Sequence, residues 1–482
     1  MHNIVELKSL IYMALLGKIR RQLKHSFDSI RNERLKLNLL QALPFWVASV
    51  LTGLAAVFYA KVFAIVEERS HYIYQHKAWL FIILLPVCLL IGRWLVIKFA
   101  PYSRGSGIPQ VIAALELANP KQNSKIDKLL NFPVIIVKML SSLVIVLGGG
   151  IVGREGPTIQ IAGSVFRLVN NWLPKWWPKI SKRNMISAGA AAGLAAAFNT
   201  PLGGIVFAVE ELTKTHISYF KTALFTAVII AGLTAQGFMG SYLYLGAVST
   251  VASTGWIFAA VALVAIITGL LGSAMSKLIL ALFAWKAGFK KQYQHIVYVV
   301  VCGIVIALVG VYISDRMFWS GKEIMTTTLF SANKHVAWYV PLMRIAGPVM
   351  CFTTGGSGGV FAPALASGAS IGAVLSGWLH LTDANTNLLI LCGMVGFLTG
   401  VTRTPFTSAI LVLEMTDRHN VIFHLMLAGM LASIVAVIID KHSFYDHLKL
   451  QYIRDLMKEP EIPSGTEVPV APLPHNDQKA EE

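Results

Sequence analysis

The chain has 482 residues, 55% hydrophobic and only 13% charged, with a mean hydropathy of +0.63 and a formal charge of +17. Apolar runs long enough to cross a bilayer, which takes ~20 residues, fill residues 41 to 440 and exclude a soluble enzyme carried on a single tether. The surplus Lys and Arg fall between and around these runs, where cytoplasmic loops gather positive charge, so the charge marks topology and excludes nucleic acid as a partner.

The first forty residues carry eight Lys/Arg, from Lys8 to Lys36, against Glu6, Asp28 and Glu33. They are too charged for a signal peptide and read as an amphipathic helix on the cytoplasmic surface. "FWVASVLTGLAAVFYAKVFAIV" then crosses outward, "EERSHYIYQHK" is expected as an outer loop, and "WLFIILLPVCLLIGRWLV" returns to Arg93, Lys98 and Arg104. The next segment, "GSGIPQVIAALELANP", is too short to cross before Lys121, Lys125 and Lys128. Residues 105–120 therefore read as a re-entrant half-helix with Ser106 near its start.

"LLNFPVIIVKMLSSLVIVLGGG" crosses outward again, "GREGP" follows, and a helix returns to the basic "LPKWWPKISKR". Glu155 thus falls in the outer half of the membrane, while Ser106 approaches from the inner half. "MISAGAAAGLAAAF" leaves the inner side but is too short to cross, and "NTPLGGIVFAVEELTK" brings Glu210 and Glu211 back toward the inner surface. "WIFAAVALVAIITGLLGSAMSKLILALFAW", "IVYVVVCGIVIALVGVYI" and "VIFHLMLAGMLASIVAVII" supply further spans. The Pro-rich polar tail is expected to be disordered.

A repeat underlies this order. Shifting the chain by 204 residues lays 186–210 on 390–414, matching Ile186 with Ile390, Thr200 with Thr404, Pro201 with Pro405 and Glu210 with Glu414. Paired Gly/Pro-interrupted segments in two halves point to a transporter-type site at the repeat interface. Three such breaks open half-helices: "GSGIP" (105–109), "GREGP" (153–157) and "GGVFAP" (358–363). Proline suits a first helical turn, and glycine lets the preceding backbone turn sharply. Each helix start offers free N–H groups and the positive end of a dipole, so several converging starts make an anion site without a buried lysine.

Other chemistries find little support. Cys88, Cys302, Cys351 and Cys392 lie singly in apolar runs, and His216, His380, His419 and His442 are scattered without ligand spacing, so no metal or other cofactor is expected. An enzyme is not expected either.

"GSGIP", "GREGP" and "GGVFAP", in that order and spacing, resemble the three signature motifs of the CLC chloride channel and transporter family, and the similarity extends over roughly residues 40 to 455. The resemblance implies an all-α polytopic membrane protein of two inverted-topology halves built from tilted and re-entrant helices. It also implies a homodimer with one pore per subunit. Ser106 and Tyr445 would coordinate a central chloride through their hydroxyls, completed by the backbone N–H groups of Val360 and Phe361. Gly105, Gly107, Pro109, Gly153, Gly156 and Pro157 would shape the helix starts, and Glu155 matches the gating glutamate. Ser106, where some members carry proline, resembles the chloride-preferring members rather than the nitrate-preferring ones.

A carboxylate is a tethered anion that competes with chloride for the same helix ends; protonation releases it, so it also carries a proton. Arg154 is expected to satisfy local carbonyls or offset charge. "FAVEEL" matches the family's inner proton site, with Glu211 in the exchanger position and Glu210 beside it, against the plainer reading of Glu211 as a helix-end partner of Lys214 or Lys138. Where bacterial members often carry acids, this chain has Gln110 and Ile112, leaving Lys138 to pair with Glu116 or Glu211. The reading is a chloride/proton antiporter of a bacterial inner membrane with both termini cytoplasmic and no nucleotide-binding module. Its rival is a passive voltage- or pH-gated chloride channel of the same fold. The organisation expected is 1–40 amphipathic, 41–240 first repeat, 252–440 second repeat, 441–457 pore-lining helix and 458–482 tail.

Overall fold

In lipid the backbone finds hydrogen-bond partners only within the protein, so long apolar runs become helices. The computed structural model describes residues 21–458 apart from 23, 26, 29–30, 120–121, 214–220, 241–242, 251–254 and 333. The first half contains α1 (Glu33–Lys77), α2 (Phe81–Phe99), α3 (Ile108–Glu116), α4 (Asn123–Leu129), α5 (Phe132–Leu147), α6 (Glu155–Trp172), α7 (Lys182–Phe198), α8 (Pro201–Phe207) and α9 (Lys221–Met239). The second contains α10 (Ile257–Ala287), α11 (Gln292–Tyr312), α12 (Lys322–Phe330), α13 (Val340–Thr353), α14 (Phe361–Trp378), α15 (Asp383–Thr402), α16 (Pro405–Thr416) and α17 (Ile422–Ile439), followed by α18 (Phe444–Lys458). Among the described residues no strand forms, and eight helical stretches are long and apolar enough to cross a membrane.

The expected half-helix at 105–120 is α3, nine residues long and buried from Ile108 through Leu115. The expected outer loop at 67–77 is not a loop. α1 runs on to Lys77 for 45 residues, because no glycine or proline interrupts it there, and a turn of 3-10 helix at Ala78–Leu80 makes the reversal. The extension is anchored on the second half: Trp319 Nε1 donates to Ser70 Oγ (2.8 Å), Ser320 Oγ donates to Glu67 Oε1 (2.9 Å), and the His71 ring stacks on Trp319 at 3.5 Å. Most of the region 1–40 assigned to an amphipathic helix, nearly all of the tail 458–482, and Lys121, Lys214 and His216 lie outside the described residues.

The 204-residue repeat is written into the backbone. Asn199 ends α7 at φ 58° and Arg403 ends α15 at φ 64°, both left-handed, and a Thr of matching torsions (Thr200 φ −127°, ψ 81°; Thr404 φ −120°, ψ 78°) then leads into a proline-started helix in each half. The equivalent glutamates cap each other's helix. Glu210 accepts from Phe406 N (3.2 Å), Thr407 N (2.7 Å) and Thr407 Oγ1 (2.6 Å) at the start of α16. Glu414 accepts from Leu202 N (3.1 Å) and Gly203 N (2.6 Å) at the start of α8. The two equivalent positions thus make the same contact in opposite directions.

Candidate functional site

The three glycine-rich turns meet. Gly105 N donates to Gly356 O (2.8 Å) and Gly358 N donates to Gly105 O (3.0 Å). Gly153 and Gly359 exchange both backbone bonds at 2.8 Å each. The loop before α14 therefore clamps the loops before α3 and α6, bringing three helix starts to one place. Side chains tighten the clamp: Ser357 Oγ donates to Ser103 O (2.5 Å), and Ser141 Oγ accepts from Ser357 N (3.0 Å).

Glycine is required here by contact as well as by torsion. Gly107 has φ +110°, and a Cβ on it would press on Gly156 O at 2.7 Å. A Cβ on Gly156 would collide with the Ser106 hydroxyl, and one on Gly153 with the Glu155 carboxylate. Ser106 thus lies directly against the start of α6, while Glu155 folds back over the turn that precedes it. Pro109 and Pro157 sit in the first turns of their helices, where a missing N–H costs nothing.

Tyr445 reaches the same place from α18. Ser443 caps that helix, accepting from Asp446 N and donating to Asp446 Oδ2, both at 3.0 Å, which fixes the first turn and turns Tyr445 inward. Ser106 and Tyr445 are each 1% exposed. Their hydroxyls come close to each other, yet among the described residues neither completes a hydrogen bond of good geometry. Two buried hydroxyls with spare donors fit an anion. Val360 precedes α14 and Phe361 opens it, both buried, so their N–H groups belong to the set that a helix leaves unpaired.

Glu155 is 1% exposed. Its Oε1 accepts a hydrogen bond from the Tyr244 hydroxyl at 3.1 Å. Arg154 lines the same small cavity of about 60 Å³, together with Phe63, Ala64, Glu67, Tyr244, Ser320 and Lys322. Ala64, Glu67 and Lys322 also line a wider cavity of about 710 Å³, so the pocket at Glu155 adjoins a larger vestibule.

Glu211 is buried at 3% exposure in the π-type turn Ala208–Thr213 that follows α8. Glu210, its neighbour, is committed to the α16 cap instead.

Lys138 is wholly buried and pairs with neither expected acid. Among the described residues it donates to Ser103 O (2.8 Å) and Gly105 O (2.7 Å), while Glu116 is held by Lys449 at 2.6 Å. With no carboxylate at Gln110 or Ile112, the ammonium turns to the carbonyls of the "GSGIP" loop. Gln110 instead donates to Tyr102 O, Arg104 O and the Tyr452 hydroxyl, joining α3 to α18. Sequence reading missed Tyr244 and Lys322: neither lies in a motif, and both reach Glu155 only through tertiary folding.

The family model described as voltage gated chloride channel matches residues 87–437. The H(+)/Cl(-) exchange transporter ClcA of Cronobacter sakazakii is 29% identical over 413 residues, covering 81% of this chain and 85% of that protein. Among solved structures, a slow cyanobacterial Cl-/H+ antiporter has a TM-score of 0.74 at 21% identity, covering 87% of this chain and 99% of its own. A CLC-type fluoride/proton antiporter follows at 0.72 and 21%, covering 86% and 98%. These two share the fold. With the family match extending over well more than half of its length, the chain belongs to the voltage gated chloride channel (CLC) family.

Proposed function

We propose that the protein is a secondary active chloride/proton antiporter. The observation that carries this reading is Glu155: a buried carboxylate folded back over the turn where three helix starts converge. Chloride from the inner side is held by the Ser106 and Tyr445 hydroxyls and by the N–H groups of Val360 and Phe361. A negative Glu155 occupies the anion position beyond them; once protonated it no longer competes and swings aside. Glu211 loads protons from the cytoplasm and passes them toward Glu155 past Tyr445. The 29%-identical relative named as an exchange transporter supports this reading over a passive channel.

The transport halves are taken as 41–240 and 252–440, with 441–457 as the pore-lining helix. The protein works as a homodimer in a bacterial inner membrane with both termini cytoplasmic. No enzymatic step is invoked. In liposomes, Glu155→Ala should keep chloride flux and lose coupled proton movement; proton pumping that survives in this variant would overturn the assignment.

A further inference from the structure

We propose that Tyr244 is the latch of the outer gate: its hydroxyl holds the Glu155 carboxylate in place, and releasing that bond is part of every opening. This rests on the reading of Glu155 as the gate. Tyr244 lies in the loop between α9 and α10, far from any signature motif, yet it is 4% exposed and donates to Glu155 Oε1 at 3.1 Å.

The latch is packed on three sides. The Tyr244 ring meets Phe198 edge-on, at 5.0 Å between centroids and 78° between planes, and Phe198 packs on Phe361 at 5.7 Å. The neighbouring Leu245 N donates to Met415 O (3.2 Å), tying the loop to the end of α16. From the vestibule side, the Lys322 ammonium stands 4.8 Å above the ring. These contacts point the phenol toward the carboxylate and tie Leu245, next to it, to the end of α16.

A phenol O–H is a donor, and it favours the ionised carboxylate over the protonated one. The other charged groups around the cavity of Glu155 are Arg154, Glu67 and Lys322, and the Tyr59 and Tyr445 phenols feel its charge. A single substitution at Tyr244 leaves all of them unchanged. Without the hydroxyl, a smaller proton concentration suffices to neutralise Glu155 and free it. Acid-activated chloride efflux should then begin at higher pH, by about one unit for a bond to a charged acceptor.

The test compares the pH profile of chloride efflux from liposomes for native protein, Tyr244→Phe, Glu155→Gln and the double variant. Phenylalanine keeps the ring and its contact with Phe198, and gel filtration with chloride titration at the central site checks folding. The expected result is an upward shift of about one pH unit for Tyr244→Phe and a flat profile for Glu155→Gln that the second substitution leaves flat. A folded Tyr244→Phe protein with the native midpoint overturns the latch, as does a downward shift. An effect of Tyr244→Phe that persists beside Glu155→Gln overturns it too, because the tyrosine would then act elsewhere. If Glu155→Gln alone keeps the native profile, it is the gate assignment that fails.

Discussion

Replacing Glu210 by alanine separates the roles of two adjacent glutamates. Glu210 accepts three hydrogen bonds, two of them from first-turn N–H groups of α16 that no carbonyl inside the helix can satisfy. A hydrogen bond to a charged partner contributes ~1.5–3 kcal/mol, and a buried donor left unpaired costs ~1–3 kcal/mol. The Thr407 hydroxyl can rotate to another acceptor, and the losses overlap, so Glu210→Ala should destabilise by about 2–4 kcal/mol. Glu210→Gln keeps one acceptor oxygen but loses the charge at the helix start, a cost of about 1–2 kcal/mol. The mirror substitution Glu414→Ala removes two bonds at the start of α8 and should fall in the same range. Denaturant titration of detergent-solubilised protein measures the stability, and paired chloride and proton fluxes at 25 °C measure the coupling. The variants should unfold earlier while keeping the native ratio of the two ions. A Glu210→Ala protein as stable as the native one would refute the cap argument. A folded one that has lost proton transport would make Glu210, not Glu211, the inner proton group.

Three further outcomes are expected. Glu211→Gln should abolish proton transport yet leave chloride flux and central-site chloride binding intact, since chloride reaches Ser106 and Tyr445 without it; paired flux assays check this. Ser106→Pro should strengthen nitrate binding relative to chloride by isothermal titration, because the hydroxyl that faces the ion is lost; an unmoved ratio means that Ser106 does not face it. Lys138→Met removes a buried positive charge resting on the carbonyls of the "GSGIP" loop, and a positive charge near an anion site favours the anion, so chloride affinity should fall by isothermal titration; an unchanged affinity would show that the ammonium does not act on the site. The loop should survive, since Ser103 O and Gly105 O keep Ser357 Oγ and Gly358 N as donors.

The parts of the site legible in sequence are those set by local backbone chemistry. Gly107 and Gly156 are fixed by torsion or contact, Pro109 and Pro157 by the first helical turn, and the spans by hydrophobic length. These rules act within a few residues, so they survive without knowledge of the fold. The 204-residue offset was equally readable, but not that Glu210 and Glu414 would cap each other, because that depends on how the halves face. The remaining differences come from tertiary contacts. Lys138 satisfies itself on carbonyls, 33 and 35 residues away, where an acid was expected. Tyr244 reaches Glu155 across 89 residues from a loop with no periodic pattern. The charged stretch at 67–77 has no glycine or proline to break its helix, and its anchoring on Trp319 and Ser320 is a contact no local pattern shows.

The most direct measurement of the central claim is uphill proton movement in sealed liposomes holding purified native protein, with a chloride gradient as the only driving force. The account predicts that protons move against their own gradient, that the movement stops when the chloride gradient is collapsed, and that Glu155→Ala abolishes it while chloride still flows. Chloride flux in the native protein with no proton displacement would contradict the account and leave a passive channel in its place.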